Sequence, residues 1–224
     1  MDWRFASLKI EKIRKIGKKM EFFYRVFTTV DKKLWLAEIE DYLEKEEIPL
    51  SAIPIVDEAD EDNLDAEPIQ ILFVDAEDRE VAILEFDALS DSEMLTEEVA
   101  EFRELVGEML PERNRAWAVE KFAATTGCFA FQMLEDGFEE ANWDAVATLA
   151  AWLRSETNGF EQSDGGQITN ENGAVVLVVP YDEDEEKEED DWRGCSVATL
   201  VDGAWVESEL DSEAAFEKFL NGDA

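Results

Sequence analysis

From residue 21 onward the apolar residues of this chain change period again and again, between the two-residue alternation of strands and the 3.6-residue repeat of helices. Residues 22–28 are rich in aromatic and β-branched side chains and read as a strand. Trp35, Ile39, Tyr42 and Leu43 then fall on one helical face ahead of Pro49. A short strand reads at 53–56, and 69–74 with 80–86 forms a hairpin around 76–79. Residues 90–92 start a helix, with Glu97 and Glu98 placed near its positive end, and Leu95, Val99, Phe102, Val106 and Met109 keep its period. Pro111 opens a further helix through Trp117 and Phe122, which Gly127 ends before a strand at 128–134. Asn142 is a suitable N-cap for a helix striped by Trp143, Val146, Ala150 and Leu153, and Asn158-Gly159 closes it. Strands at 167–169 and 174–179 flank the Asn172-Gly173 turn, and 197–200 pairs with 204–206 around Asp202-Gly203. Asp211 or Ser212 caps a last helix carrying Ala215, Phe216, Phe219 and Leu220.

This order predicts an α+β fold. Residues 21–134 read β-α-β-β-α-β, the split-βαβ plan of a ferredoxin-like unit. Residues 135–180 add an α-β-β extension that continues the same sheet or forms a second unit. An acidic loop at 181–193 leads to a β-hairpin and C-terminal helix at 194–224. The β-α-β-β order of 128–179 repeats that of 22–86, which suggests a diverged internal repeat without support from residue identity. Residues 1–20 form a basic leader in which Trp3, Leu8, Ile13 and Ile16 alternate with bases, as in a short amphipathic helix or an unstructured arm. The Lys/Arg/Gly character of 12–19 is what a translated ribosome-binding region gives, which makes Met20 an alternative start.

Charge is the outlying property. Against 57 acids stand 20 bases, a net charge of −37, and ten of those bases fall in the first 33 residues. The rest of the chain therefore carries a field that repels nucleic acid, anionic lipid and anionic metabolites and attracts basic proteins and cations. With 46% hydrophobic residues, 14 Phe and 7 Trp, such a chain folds around a core rather than remaining disordered. No apolar run reaches membrane-spanning length and no secretory leader is recognisable. Cys128 and Cys195 lack framework spacing and read as reduced thiols, which predicts a cytoplasmic protein.

The chain contains no histidine. The Ser-His, Cys-His and zinc-His arrangements are thereby excluded. Neither glycine-rich phosphate motif occurs, and Gly165-Gly166 lies in an acidic stretch unsuited to phosphate. Carboxylate pairs remain, for glycoside chemistry or a hard cation, but among so many acids their proximity has little specificity. Asp57-x-x-Asp60-x-Asp62 and Asp182-x-Asp184-x-Glu186 have cation-loop spacing without the central glycine or the distal glutamate of a calcium loop. No catalytic residue, cofactor or metal is predicted.

Three functions are consistent with these residues. The first is an acidic interaction protein that binds a basic protein partner, as an inhibitor, an immunity protein or a nucleic-acid mimic; at the level of fold alone, the acidic βαβ character resembles small bacterial inhibitor and immunity proteins. It predicts acids gathered on one face. The second is a general salt or solubility adaptation, with acids spread evenly over a domain of unrelated function. The third is a carboxylate or thiol enzyme. Under the first, the partner-binding residues are Asp57, Glu58, Asp60, Glu61 and Asp62 in one run, and Asp182, Glu183, Asp184, Glu185 and Glu186 in the other, with Trp192 beside the second. Trp35, Trp117, Trp143 and Trp152 read as core, and burial is also the expectation for Trp205.

Overall fold

The computed structural model describes residues 22–32, 36–55, 70–164, 166–180 and 194–222. Its strands are β1 (Phe22–Thr28), β2 (Ser51–Ile55), β3 (Gln70–Val74), β4 (Glu80–Ala88), β5 (Gly127–Met133), β6 (Phe160–Ser163), β7 (Gln167–Thr169), β8 (Val175–Val178), β9 (Cys195–Val201) and β10 (Ala204–Leu210). The helices are α1 (Leu36–Lys45), α2 (Glu93–Leu105), α3 (Arg115–Ala123), α4 (Glu140–Glu156) and α5 (Glu213–Asn221). All ten strands join one sheet in the order β10-β9-β8-β7-β6-β1-β5-β4-β3-β2.

Adjacent residues of the central strands point into different cores. Val26 packs with Ile39 and Leu43 of α1 and with Trp143, Leu149 and Leu153 of α4. Its neighbour Phe27 packs with Leu95 and Val99 of α2 and with Trp117 and Phe122 of α3. Phe27 is fully buried, stacked on Phe160 at 5.3 Å and edge-on to Phe122 at 5.1 Å. On β9, Val197 packs with Phe216 and Phe219 of α5, whereas Ala198 faces the α2/α3 core. The sheet is thus a middle layer, with α1, α4 and α5 over one face and α2 and α3 over the other. Both sides of the strand carry apolar residues because both are covered.

The α+β class follows, but the ferredoxin-like order does not. In that plan the first strand lies between the third and the fourth. Here β5 lies between β1 and β4, paired antiparallel to both in registers that include Tyr24↔Phe131 and Leu84↔Phe131. The cause is the short strand β2. The crossover through α1 lands on β2, which runs the same way as β1; the meander β2-β3-β4 then returns β4 in that direction too. An antiparallel strand fits between two strands that point alike, and β5 takes that place. The split βαβ unit that does occur is β5-α4-β6, with β1 inserted between its strands.

Local signals fared unevenly. Ser92 caps α2 by accepting from the Leu95 N–H at 3.1 Å, and Ser212 caps α5 by accepting from Ala215 at 3.4 Å. Asn158, Asp202, Gly203 and Gly222 adopt left-handed φ at their turns. Glu97 and Glu98 stand a turn beyond the start of α2, where Glu93 is the first-turn acid. Asn142 is not a cap: α4 begins at Glu140, and the buried Asn142 amide donates to the Asp136 carbonyl at 3.0 Å and to Asp75 Oδ2 at 3.2 Å. Gly127 opens β5 rather than closing α3, which ends at Ala123. Trp117 and Trp143 are core residues, and Trp152 stacks half-buried on Tyr42 at 4.5 Å.

Candidate functional site

Two basic residues of the folded body, Arg25 and Arg154, are buried. Arg25, on β1, is buried and reaches three elements: its Nε donates to Glu98 of α2 at 2.8 Å, and its Nη1 to Gln162 at 3.0 Å and Asp164 at 2.5 Å. The guanidinium lies over the rings of Phe23 (4.9 Å) and Phe102 (5.5 Å). Across the sheet, Arg154 of α4 pairs with the buried carboxylate of Glu161. The other oxygen of Glu161 accepts from Tyr24 Oη at 2.8 Å and Thr169 Oγ1 at 3.0 Å. Arg154 also donates to the Glu171 carbonyl at 3.2 Å, and the turn passes so close that a Cβ on Gly173, itself at φ +88°, would meet the guanidinium. Burial pushes the Glu161 carboxyl up, against the pull of Arg154 and the donated hydrogen bonds. Burial, reinforced by the Glu161 charge, holds the Tyr24 phenol well above its ordinary range.

A third cluster closes the β3–β4 hairpin. Asp75 accepts from the backbone N–H groups of Glu77 (2.9 Å) and Arg79 (3.0 Å) and pairs with the Arg79 guanidinium at 2.6 Å. Burial pushes this carboxyl up, but the bonds from the Arg79 backbone, the Asn142 and Arg79 side chains and the Glu77 backbone outweigh it and draw it down to about 2. Arg79 also bonds Glu139 at 2.8 Å. Elsewhere Lys32 pairs with Glu156, Lys121 with Glu171, and Arg113 donates to the Gly222 carbonyl and Thr199 Oγ1.

Many acids are left facing outward. On α1 these are Glu40, Asp41 and Glu44, with Glu46 and Glu47 just past its end; on α2, Glu93, Glu97, Glu101 and Glu104; on β10, Glu207 and Glu209; on α5, Glu213 and Glu217. They occupy both helical layers, so the described acids are not gathered on one face, contrary to what the interaction reading of the sequence predicts. On α2 the residues Glu93, Glu97 and Glu101 recur every fourth position and form one ridge. Met94 stands beside it, 69% exposed, the most exposed large apolar side chain among the described residues.

The acids singled out in the sequence, Asp57, Glu58, Asp60, Glu61 and Asp62 with Asp182, Glu183, Asp184, Glu185 and Glu186, lie outside the described residues, as do Trp192 and Trp35. Their attachment points are defined. The first run joins β2 to β3 where Ile55 pairs with Gln70. The second joins β8 to β9, which run parallel, so it leaves and re-enters the sheet at opposite ends. The strands β7, β6, β1, β5 and β4 stand between the two attachment points, a separation on the order of 30 Å. Sequence inspection passed over the buried Arg25, Arg154 and Glu161. For Arg25 and Arg154 the signal was a charge within an otherwise apolar strand or helix stripe, in β1 and α4; Glu161 lies in the polar strand β6 and carried no such signal.

Among the described residues no group of three or more carboxylates and thiols is placed to hold a metal ion. A recess lined by Tyr24, Met133, Trp143, Val146 and Ala147 is apolar and too small for a water molecule. Cys128 and Cys195 are free and buried; burial raises both thiols, Cys195 to about 12 with the Glu209 charge adding to it. Neither is a thiolate nucleophile at neutral pH. Among the described residues no helix is long and apolar enough to cross a membrane. Trp205 is half-buried, edge-on to Trp117 at 5.1 Å, with its indole N–H on Glu171 at 3.1 Å. Comparison with known protein families, with curated proteins and with solved structures found no match.

Proposed function

We propose that this chain is an acidic interaction protein that binds a basic protein partner. The observation that carries this reading is the outer face of α2, where Met94 stands exposed beside the Glu93, Glu97 and Glu101 ridge. Methionine is enriched at interfaces, and a carboxylate ridge steers a cationic surface toward it. Carboxylates in such a row stand at roughly phosphate-like spacing, which suits the basic site of a nucleic-acid enzyme. The ridge places like charges four residues apart, which weakens the helix by roughly 0.2–0.5 kcal/mol per pair. The test is a pull-down from host lysate at about 0.15 M and about 0.5 M salt. A basic protein held by the wild type and lost both at the higher salt and from a Glu97→Lys/Glu101→Lys variant supports the reading. Retention by the variant removes α2 from it.

A second reading, general acidic adaptation, rests on a different observation: exposed acids occupy both α1 and α2, on opposite faces of the sheet. It predicts that molar KCl raises the melting temperature by screening self-repulsion and that the pull-down is empty.

A further inference from the structure

The two ends of the sheet are built differently. At one end β2 carries Pro54, which has no N–H to offer a further strand. At the other, β10 pairs with β9 on its inner side, and among the described residues no strand covers its outer side. The Asp202-Gly203 turn has two residues, both at positive φ (50° and 82°), so the hairpin closes on a hydrogen-bonded Val201–Ala204 pair. Hydrogen-bonded pairs then alternate down the ladder, through Val206–Thr199 and Ser208–Val197. The backbone groups of Trp205, Glu207 and Glu209 consequently point out of the sheet, with no partner strand among the described residues.

The side chains along this edge divide by face. Glu207 and Glu209 stand exposed on the same face as Trp205, and Glu207 is held by the Asn172 amide at 2.7 Å. On the other face Val206 is 54% exposed and the nearby Val201 is 48% exposed. A second copy of this edge would set Glu207 and Glu209 against themselves, which argues against self-pairing. A strand carrying cations opposite Glu207 and Glu209 and an apolar residue opposite Val206 complements both faces.

The geometry points to β10 as a docking edge for an extended segment that alternates basic and apolar residues and adds to the sheet as an eleventh strand. This assignment rests on the reading of the chain as a binder of basic proteins and names one place where such a partner engages. Backbone pairing at Trp205, Glu207 and Glu209 supplies affinity, and the carboxylates select lysine or arginine at every second position.

The test uses the full chain and two labelled peptides of equal composition, one alternating lysine and valine, the other with its lysines and valines in separate blocks. Binding is followed by anisotropy, and amide exchange is measured at Trp205, Glu207 and Glu209. The expected result is binding of the alternating peptide at least about tenfold tighter than the block peptide. The three amides should become protected, and affinity should fall about tenfold in the Glu207→Lys/Glu209→Lys variant. Because the comparison between peptides uses the unaltered protein, it stands whether or not that variant folds. Equal binding of both peptides, or protection elsewhere than β10, overturns the docking edge. If affinity is instead lost in Glu97→Lys/Glu101→Lys, α2 is the docking face and the acidic-binder reading survives. Binding insensitive to salt and to both variants overturns the two together.

Discussion

Asn114 and Leu200 lie 86 positions apart and share a hydrogen bond, the Leu200 N–H donating to Asn114 Oδ1 at 3.1 Å. The same side chain donates through Nδ2 to the carbonyls of Val176 (2.8 Å) and Ala198 (2.9 Å). Strands β8 and β9 are in register at a single parallel pair, Val175↔Val197. The fully buried Asn114 therefore bridges two strands whose own ladder is short. Asn114→Ala strands one donor and two acceptors in the interior, at about 1–3 kcal/mol each. Denaturant unfolding should show a loss of several kcal/mol, and amide exchange should rise first in β9 and β10. Asn114→Asp keeps the acceptor and loses both donors, so it should be nearly as damaging.

The Arg154–Glu161 pair makes a second case. Arg154→Met leaves the Glu161 carboxylate buried without its counter-charge and should cost about 3–5 kcal/mol by urea denaturation. Arg154→Met combined with Glu161→Gln removes the stranded charge and should recover much of that loss. If the double variant is as unstable as the sum of the single ones, the pair does not act as a unit.

Charge reversal on α2 should separate folding from binding. Glu97 has Glu93 and Glu101 as its neighbours one turn away, so Glu97→Lys converts two repulsive pairs into attractive ones. Stability should rise by roughly 0.5–1 kcal/mol at low salt, and the gain should fade as salt increases. Partner binding should weaken in the same variant. A simple folding defect cannot produce those opposite signs.

Asp75 sets an acid limit. Its carboxyl is drawn down to about 2 in the folded chain, against about 3.9 unfolded. A lowered folded value means a contribution fully present above the unfolded value and lost as pH falls toward the folded one. Between pH 4 and 2 the wild type should lose stability more steeply than Asp75→Asn, and amide exchange at Glu77 and Arg79 should report the same window.

Helices, turns and most strands were legible because their causes are local. The Ser92 cap, the Asp202-Gly203 turn and the Trp143–Leu153 stripe each depend on a few neighbouring residues. Asn142 misled for the complementary reason: its amide serves the Asp75 turn and the Asp136 carbonyl, and the Asp75 contact spans 67 positions of sequence. The candidate site was less legible. The runs around Asp57 and Asp182 stand out by composition, whereas the α2 ridge and the β10 edge are ordinary stretches until exposure and strand order are known.

The sequence by itself determined that this chain is α+β, strongly acidic and without histidine chemistry, because composition and short-range periodicity suffice for each. Tertiary structure alone decided the order of the sheet. Five residues of β2 reverse the direction in which β4 returns, so β5 enters between β1 and β4. Tertiary structure also decided where charge faces water: Arg25 meets Glu98 and Asp164, 73 and 139 positions away, and many acids of the body face outward. Strand order and the Arg25 ion pairs are long-range consequences of the path of the chain, and no local window contains them.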